Sequence, residues 1–268
     1  MLSSIAASPS ITWFPVDYVD IHAHILHGLD DGAKDLRASV AMLEMAAAAG
    51  TTDIVATPHA NSRFPFNPQL IDERIAELVP LSPVRIHRGC DFRLQFDTVQ
   101  DAFANPTKYT INHGVCLLVE FPDFTVFPNG DNVLMQLVDA GLVPIITHPE
   151  RNEQLRERIE NLTQWVEMGC GLQITAGAVT GRFGAEARAF AALLLSRGLV
   201  HFVASDAHDT RHRPPKLDGA YAALSREWGE ATIRPLFVDN PRATLSGRRI
   251  EFDIHPPVRR KRQWYQFW

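Results

Sequence analysis

Residues 17–59 read DYVDIHAHILHGLDDGAKDLRASVAMLEMAAAAGTTDIVATPH. Asp17 to His22 opens with the apolar, Val- and Ile-bearing run expected of a parallel strand buried on both faces. Asp35 to Ala49 then sets Leu36, Val40, Leu43 and Ala47 on one helical face, and Gly50 follows where a helix commonly stops. Asp53 to Thr57 is a second apolar run. The stretch is one strand, one helix and the next strand: a βα unit and the start of its successor.

The same alternation runs along the chain. Strands are predicted at Val84 to Cys90, Val115 to Phe121, Leu142 to Thr147, Gly171 to Thr175 and Leu199 to Ser205. Helical spacing fills Pro68 to Val79, Asp131 to Ala140, Glu153 to Met168 and Ala185 to Ser196, with Gly141, Gly169 and Gly198 closing three of them. Units begin about every 30 residues, and there are seven. The expectation is an α/β fold, a distorted TIM-like (β/α)7 barrel, with a doubly wound open sheet as the alternative that periodicity does not separate from it. Residues 17–247 are expected to form one domain, preceded by an arm at 1–16. Residues 248–268 are expected to form a tail carrying Arg259-Arg260-Lys261-Arg262 and the aromatics Trp264, Tyr265, Phe267 and Trp268. That tail could meet a partner or an anionic membrane, or pack back on the barrel or on a second copy in a homo-oligomer.

Composition excludes several classes. The chain has 268 residues, 46% of them hydrophobic, enough for a sizeable core, and a net charge of −5 that argues against nucleic acid as the main partner. Cys90, Cys116 and Cys170 form no CxxC and are odd in number, which fits a reducing compartment and not a disulfide framework. No apolar run approaches the roughly 18 residues of a membrane helix, and residues 1–15 lack a signal-peptide pattern, so a cytoplasmic protein is expected.

The ends of the predicted strands carry the chemistry, because in such barrels they converge on one face. The first ends in Asp-Ile-His22-Ala-His24, the second in Thr-Pro-His59, the third in Gly-Cys-Asp91, the fourth in Val-Glu120, the fifth in Thr-His148 and the seventh in Ser-Asp206-Ala-His208. A lone His after a strand is usually just a satisfied polar residue. Six strand ends of seven with imidazole or carboxylate point instead to a metal site. Asp31, in the loop after the first strand, makes nine side chains, enough for two or three ions such as Mn, Fe or Zn and too many for one. Such a cluster suits phosphate ester hydrolysis. His27, His87, His113 and His201 receive no role.

Together these words resemble the polymerase and histidinol phosphatase (PHP) superfamily, and more closely its bacterial manganese-dependent protein-tyrosine phosphatases of capsule and exopolysaccharide synthesis. The resemblance spans about residues 20–244. It rests on Asp-Ile-His-Ala-His (20–24), Leu-Asp-Asp-Gly (29–32), Thr-Pro-His (57–59), Val-Glu-Phe (119–121), Thr-His-Pro-Glu-Arg (147–151), Ala-Ser-Asp-Ala-His (204–208) and Val-Asp-Asn-Pro (238–241). It implies a PHP-type barrel, a cluster of up to three ions, and His22, His24, Asp31, His59, Glu120, His148, Asp206 and His208 as ligands. Asp91 departs from the pattern: the family commonly places a Glu there, often bridging, and Asp is one methylene shorter. The resemblance also implies that Arg151 and Arg213 hold the phosphate.

The expected reaction is direct hydrolysis of phosphotyrosine by metal-bound hydroxide, with His208 or a bound water protonating the leaving group. The expected substrate is the tail of a membrane-associated tyrosine kinase, which would bring the enzyme to the inner face of the membrane. None of the cysteines stands in the Cys-x5-Arg loop of thiol phosphatases. Competing expectations are a small-molecule phosphatase, for example on histidinol phosphate, a phosphodiesterase, and a metal-retaining regulatory protein without turnover.

Overall fold

A computed structural model describes residues 16–122 and 129–257. The strand segments are β1 (Tyr18–Ala23), β2 (Thr51–Ala56), β3 (His59–Ala60), β4 (Arg85–Arg88), β5 (Asp91–Arg93), β6 (Cys116–Glu120), β7 (Val143–Thr147), β8 (Gly171–Thr175) and β9 (Phe202–Ala204). The helices are α1 (Leu36–Ala48), α2 (Pro68–Leu78), α3 (Phe96–Ala104), α4 (Gly130–Asp139), α5 (Glu153–Arg156), α6 (Ile159–Glu167), α7 (Ala176–Val179), α8 (Gly184–Ser196), α9 (Asp218–Trp228), α10 (Glu230–Arg234) and α11 (Asn240–Leu245).

Every strand pairing is parallel. β2 and β3 are one strand interrupted at Thr57-Pro58, where proline supplies no amide donor. β4 and β5 are likewise one strand, interrupted at Gly89-Cys90, so the predicted run Val84 to Cys90 is shorter than expected and resumes at Asp91. Gly89 lies against the neighbouring strand: a Cβ there would come within 2.5 Å of Val55 Cγ1. Two hydrogen bonds, Gly89 N to Ala56 O (2.9 Å) and Asp91 N to Pro58 O (3.1 Å), carry the pairing across both breaks. At the other end of the series, an Ala23–Ala207 bridge, His24 N to Ala207 O and Asp206 N to His22 O (both 2.8 Å) tie the seventh strand to the first. The pairings therefore run round a ring of seven strands, which favours the barrel over the open sheet.

Apolar residues fill it in two layers. Val19, Ile21, Val55, Leu118, Ile145 and Phe202 pack inside the ring, while Leu117, Val119, Ile146, Leu172 and Ile174 meet Leu134, Trp165 and Leu194 of the surrounding helices. Helix starts follow local capping: the Asp35 side chain accepts from Ala38 N (2.8 Å), and the Asn67 side chain from Leu70 N (3.2 Å) just before Pro68. The predicted helix Glu153 to Met168 is split into α5 and α6, and α3, α7, α9, α10 and α11 were not foreseen. Residues 248–257 return to the barrel, where Phe252 packs on Phe202 and His201. The basic run and the four late aromatics of the tail lie outside the described residues, as does nearly all of the predicted arm.

Candidate metal centre

The strand ends and the loop after β1 bring all nine predicted side chains to one face. His22 lies within the register shift of β1 between Asp20 and Ala23 and His24 follows it, Asp31 stands in the loop before α1, His59 opens β3, Asp91 opens β5, Glu120 closes β6, His148 follows β7, and Asp206 and His208 follow β9. Their ligand atoms fall into four groups, each within 4.8 Å: His24, Asp31, His59 and His208; His22, Asp91 and His148; His22, His24 and Asp206; His59, Asp91 and Glu120. His22, His24, His59 and Asp91 each belong to two groups, so these groups form one continuous cluster. Asp91, despite its shorter side chain, stands between His59 Nδ1 at 3.0 Å and His22 Nε2 at 3.7 Å.

Neighbouring side chains aim the imidazoles. His22 Nδ1–H donates to Gln173 Oε1 (2.8 Å) and His24 Nδ1–H donates to Asp30 Oδ2 (2.7 Å), which leaves both Nε2 lone pairs facing the cluster. Asp30 also accepts from His59 N (3.1 Å) and Gly32 N (2.9 Å). His148 and Asp206 adopt left-handed backbone angles, φ 35° and φ 51°, uncommon for residues with a Cβ. Their amides are pinned by Gln173 O and His22 O at 2.8 Å each. Strain of about 1–3 kcal/mol per residue is of the kind proteins store at functional sites.

The arrangement fits divalent cations. The two Nε2 atoms of His22 and His24 face each other at 3.3 Å, and both Asp91 oxygens and His208 Nε2 are buried without a hydrogen bond. Nitrogen lone pairs and carboxylates crowded together in this way need a cation or protons between them. Without metal, protons serve. Burial opposes charge on His22, but Asp206 and Asp91 outweigh it and push the imidazole up to about 9. Burial likewise opposes charge on His59, but the adjacent carboxylates of Asp31 and Asp91 raise it to about 11. Burial and the neighbouring His24 push His208 down to about 4, keeping it neutral, as a ligand must be.

Asp206 faces two ways. Its Oδ1 lies 3.4 Å from both His22 Nε2 and His24 Nε2, while its Oδ2 accepts from the guanidinium groups of Arg151 and Arg213. Burial alone would raise its pKa, but His22 and Arg213 hold the carboxyl well below the usual range. A cavity of about 470 Å³ opens here, lined by Asp31, His59, Glu120, His148, Arg151 and Arg213, with Arg63, Phe64 and Arg93 among its further walls.

Sequence reasoning missed Asp30, Gln173 and Glu150. Asp30 was legible in Leu-Asp30-Asp31-Gly, where only the second carboxylate was assigned. Gln173 sits on the sixth strand, which ends in no ligand and so drew no notice. Glu150 is fully buried and accepts from Thr175 N (2.8 Å) and Thr175 Oγ1 (2.7 Å), and burial raises it to about 7. Of the histidines outside the predicted site, His87 binds Asp53 (2.9 Å), His27 lies 3.4 Å from Glu77, His113 contacts Arg88, and His201 is buried beside Phe252; none of these belongs to the groups above.

Residues 18–246 match the family described as capsular polysaccharide synthesis, CpsB/CapC. The tyrosine-protein phosphatase YwqE of Bacillus subtilis (strain 168) is 33% identical over 253 residues, covering 91% of this chain and 98% of that protein. The tyrosine-protein phosphatase CpsB of Streptococcus pneumoniae is 30% identical over 245 residues, covering 87% and 100%. A crystal structure from work on YwqE and CpsB, described as unique metal-dependent tyrosine phosphatases, matches with a TM-score of 0.80 at 31% identity, over 91% of this chain and all of that one.

Proposed function

The chain belongs to the CpsB/CapC family of capsular polysaccharide synthesis and is a metal-dependent protein-tyrosine phosphatase; from that premise we propose how its residues divide the work and what it acts on. Two to three divalent cations, manganese by preference, are held by His22, His24, Asp31, His59, Asp91, Glu120, His148, Asp206 and His208. Arg151 and Arg213 hold the phosphate. The substrate is a phosphotyrosine on the tail of a membrane-associated kinase that controls capsule or exopolysaccharide synthesis, and the enzyme meets it in the cytoplasm. Among the described residues no helix is long and apolar enough to cross a membrane.

The observation that carries this reading is the two-sided Asp206. One oxygen faces the imidazoles that would bind a cation, and the other holds the two guanidiniums, so cation and phosphate sites share an edge. When bound, the cations activate water and neutralise phosphate charge. The residues of the chain do the rest. Arg151 and Arg213 turn from Asp206 Oδ2 to the non-bridging phosphate oxygens, where forked N–H donors match the geometry. Their charge is most useful as the phosphoryl group is transferred, when charge spreads over those oxygens. A water oxygen joins phosphorus, the bond to the tyrosine oxygen breaks, and the phenol leaves with a proton from His208 or a bound water. His208 stands beside Asp31, its Nε2 3.4 Å from the carboxylate.

The test is phosphate release from a phosphotyrosine peptide by metal-stripped enzyme with Mn, Zn or Mg restored, run beside histidinol phosphate and a single-stranded oligonucleotide. Restored turnover, greatest with Mn and on the peptide, is the expected result. Undiminished turnover after exhaustive chelation, or a clear preference for either other substrate, overturns the reading.

A further inference from the structure

The sixth strand ends in no ligand, yet the chain after it approaches both phosphate arginines. α7 and α8 are joined through Gly181-Arg182-Phe183-Gly184. Gly181 and Gly184 hold φ of +83° and +88°, a backbone that side-chain-bearing residues rarely adopt, so the turn presents its two central residues in a fixed way. The Arg151 guanidinium carbon lies 4.4 Å over the centroid of the Phe183 ring. Gly177 supports the ring from the α7 side: a Cβ there would fall 2.6 Å from Phe183 Cε2. Arg182 reaches the other way, its Nη1 donating to Arg211 O and His212 O at 3.2 Å each, the two residues before Arg213.

We propose that this turn is a positioning element for phosphate binding, Phe183 acting through Arg151 and Arg182 acting through the backbone that carries Arg213. The proposal rests on the reading that Arg151 and Arg213 bind the phosphate. A guanidinium on a long stem is free to swing, and its value in the transition state depends on being held where the charge develops. The ring face attracts the guanidinium without occupying its N–H donors, which stay available to Asp206 and then to the phosphate oxygens. Arg182 contributes no group to the phosphate itself. It adds a second hold, on two carbonyls of an exposed loop whose amides are bonded to Asp209 Oδ1, and so steadies the backbone that carries Arg213.

The experiment is a double-mutant cycle read by kcat and KM on a phosphotyrosine peptide, by the inhibition constant of inorganic phosphate, and by metal content. Phe183→Leu keeps apolar bulk and removes the ring; it is expected to weaken phosphate inhibition and lower kcat/KM by about 5- to 30-fold. Phe183→Tyr is expected to restore both to within about twofold, and metal content stays at the wild-type level in both variants. In an Arg151→Ala background, Phe183→Leu is expected to cost less than about twofold, because the group it positions is gone. Arg182→Gln is expected to show the same non-additivity with Arg213→Ala and simple additivity with Arg151→Ala. A full Phe183→Leu effect in the Arg151→Ala background overturns the proposal by showing that the ring acts directly on substrate. Loss of metal in Phe183→Leu overturns it as well, by showing a general structural role. Unchanged phosphate inhibition in Arg151→Ala is a different failure, that of the phosphate-binding reading on which the proposal stands.

Discussion

Asp30 offers the sharpest test of how the cluster is built, because it touches no candidate cation position and was not among the assigned ligands. Its Oδ2 accepts from His24 Nδ1 at 2.7 Å and from His59 N at 3.1 Å, and its Oδ1 accepts from Gly32 N at 2.9 Å. Asp30→Asn preserves the shape and one acceptor but removes the charge. With its amide oxygen on either side, the other loses an acceptor and meets an N–H. A hydrogen bond to a charged group is worth about 1.5–3 kcal/mol, and replacing the orienting partner of a metal-bound imidazole weakens metal binding about 10- to 100-fold. That factor corresponds to about 1.4–2.7 kcal/mol, the same scale as the single His24 contact, so no larger rearrangement is required. The assay is metal-buffered titration, following both bound metal and phosphate release. Half-saturation is expected to move up by about 10- to 100-fold, with kcat at saturating metal within about threefold of wild type. Unchanged half-saturation would refute the orienting role. A collapse of kcat at full metal occupancy would place Asp30 in the chemistry and refute the reasoning equally.

Three further outcomes follow from buried groups. Gln173→Leu leaves the buried His22 Nδ1–H without an acceptor, so urea denaturation of the metal-free protein should show a loss of about 1–3 kcal/mol; an unchanged midpoint would count against the contact. Cys90, Cys116 and Cys170 are buried, and burial raises all three thiols, the last two to about 12, so alkylating reagents applied to the folded protein should leave turnover intact, and inhibition would contradict a thiol-free mechanism. His201 Nδ1 accepts from Leu172 N at 3.1 Å, which requires a neutral ring, and burial pushes it down to about 4 from 6.5. Its contribution to stability is therefore complete above about pH 6.5 and is lost as pH falls toward 4, by about 3 kcal/mol in total, since the unfolded chain takes up the proton first. Denaturation of wild type and His201→Gln across that range should converge in acid; parallel curves would refute the assignment.

What was legible in the sequence was whatever depends on local alternation. Buried parallel strands declare themselves as apolar runs, and the residue just past each run is placed by strand geometry alone. The strand-end candidates at His22, His24, His59, Asp91, Glu120, His148, Asp206 and His208 could therefore be named without coordinates. The misses have a common cause in contacts between distant positions. Gln173 is an unremarkable strand residue until the sixth strand lies against the fifth and its side chain reaches His22, 151 residues away. Glu150 belongs to Thr-His-Pro-Glu-Arg, yet its engagement with Thr175 depends on the same pairing. The breaks in the second and third strands were hidden for a different reason: the second run ends at Thr57 and the short return at His59–Ala60 past Pro58 carries no apolar signal, while Gly89 sits inside the run Val84 to Cys90.

On the proposed reading, the geometry of Asp206 would couple the cation and phosphate sites. A carboxylate buried beside two imidazoles and two guanidiniums is stable only while each oxygen has positive charge before it. On the proposed reading, a cation held by Asp206 would loosen its hold on the arginines, and a phosphate that took the arginines would return Asp206 more fully to the cation. Each ligand would then favour the other, and by reciprocity of linkage the effect would be the same in both directions. The left-handed backbone at residue 206 fits this role, because it turns the carboxylate across the mouth of the barrel while its amide stays bonded to His22 O on the first strand. One of the two hydrogen bonds that close the ring of strands, Asp206 N to His22 O, thus also holds the residue whose carboxylate stands between the imidazoles and the guanidiniums.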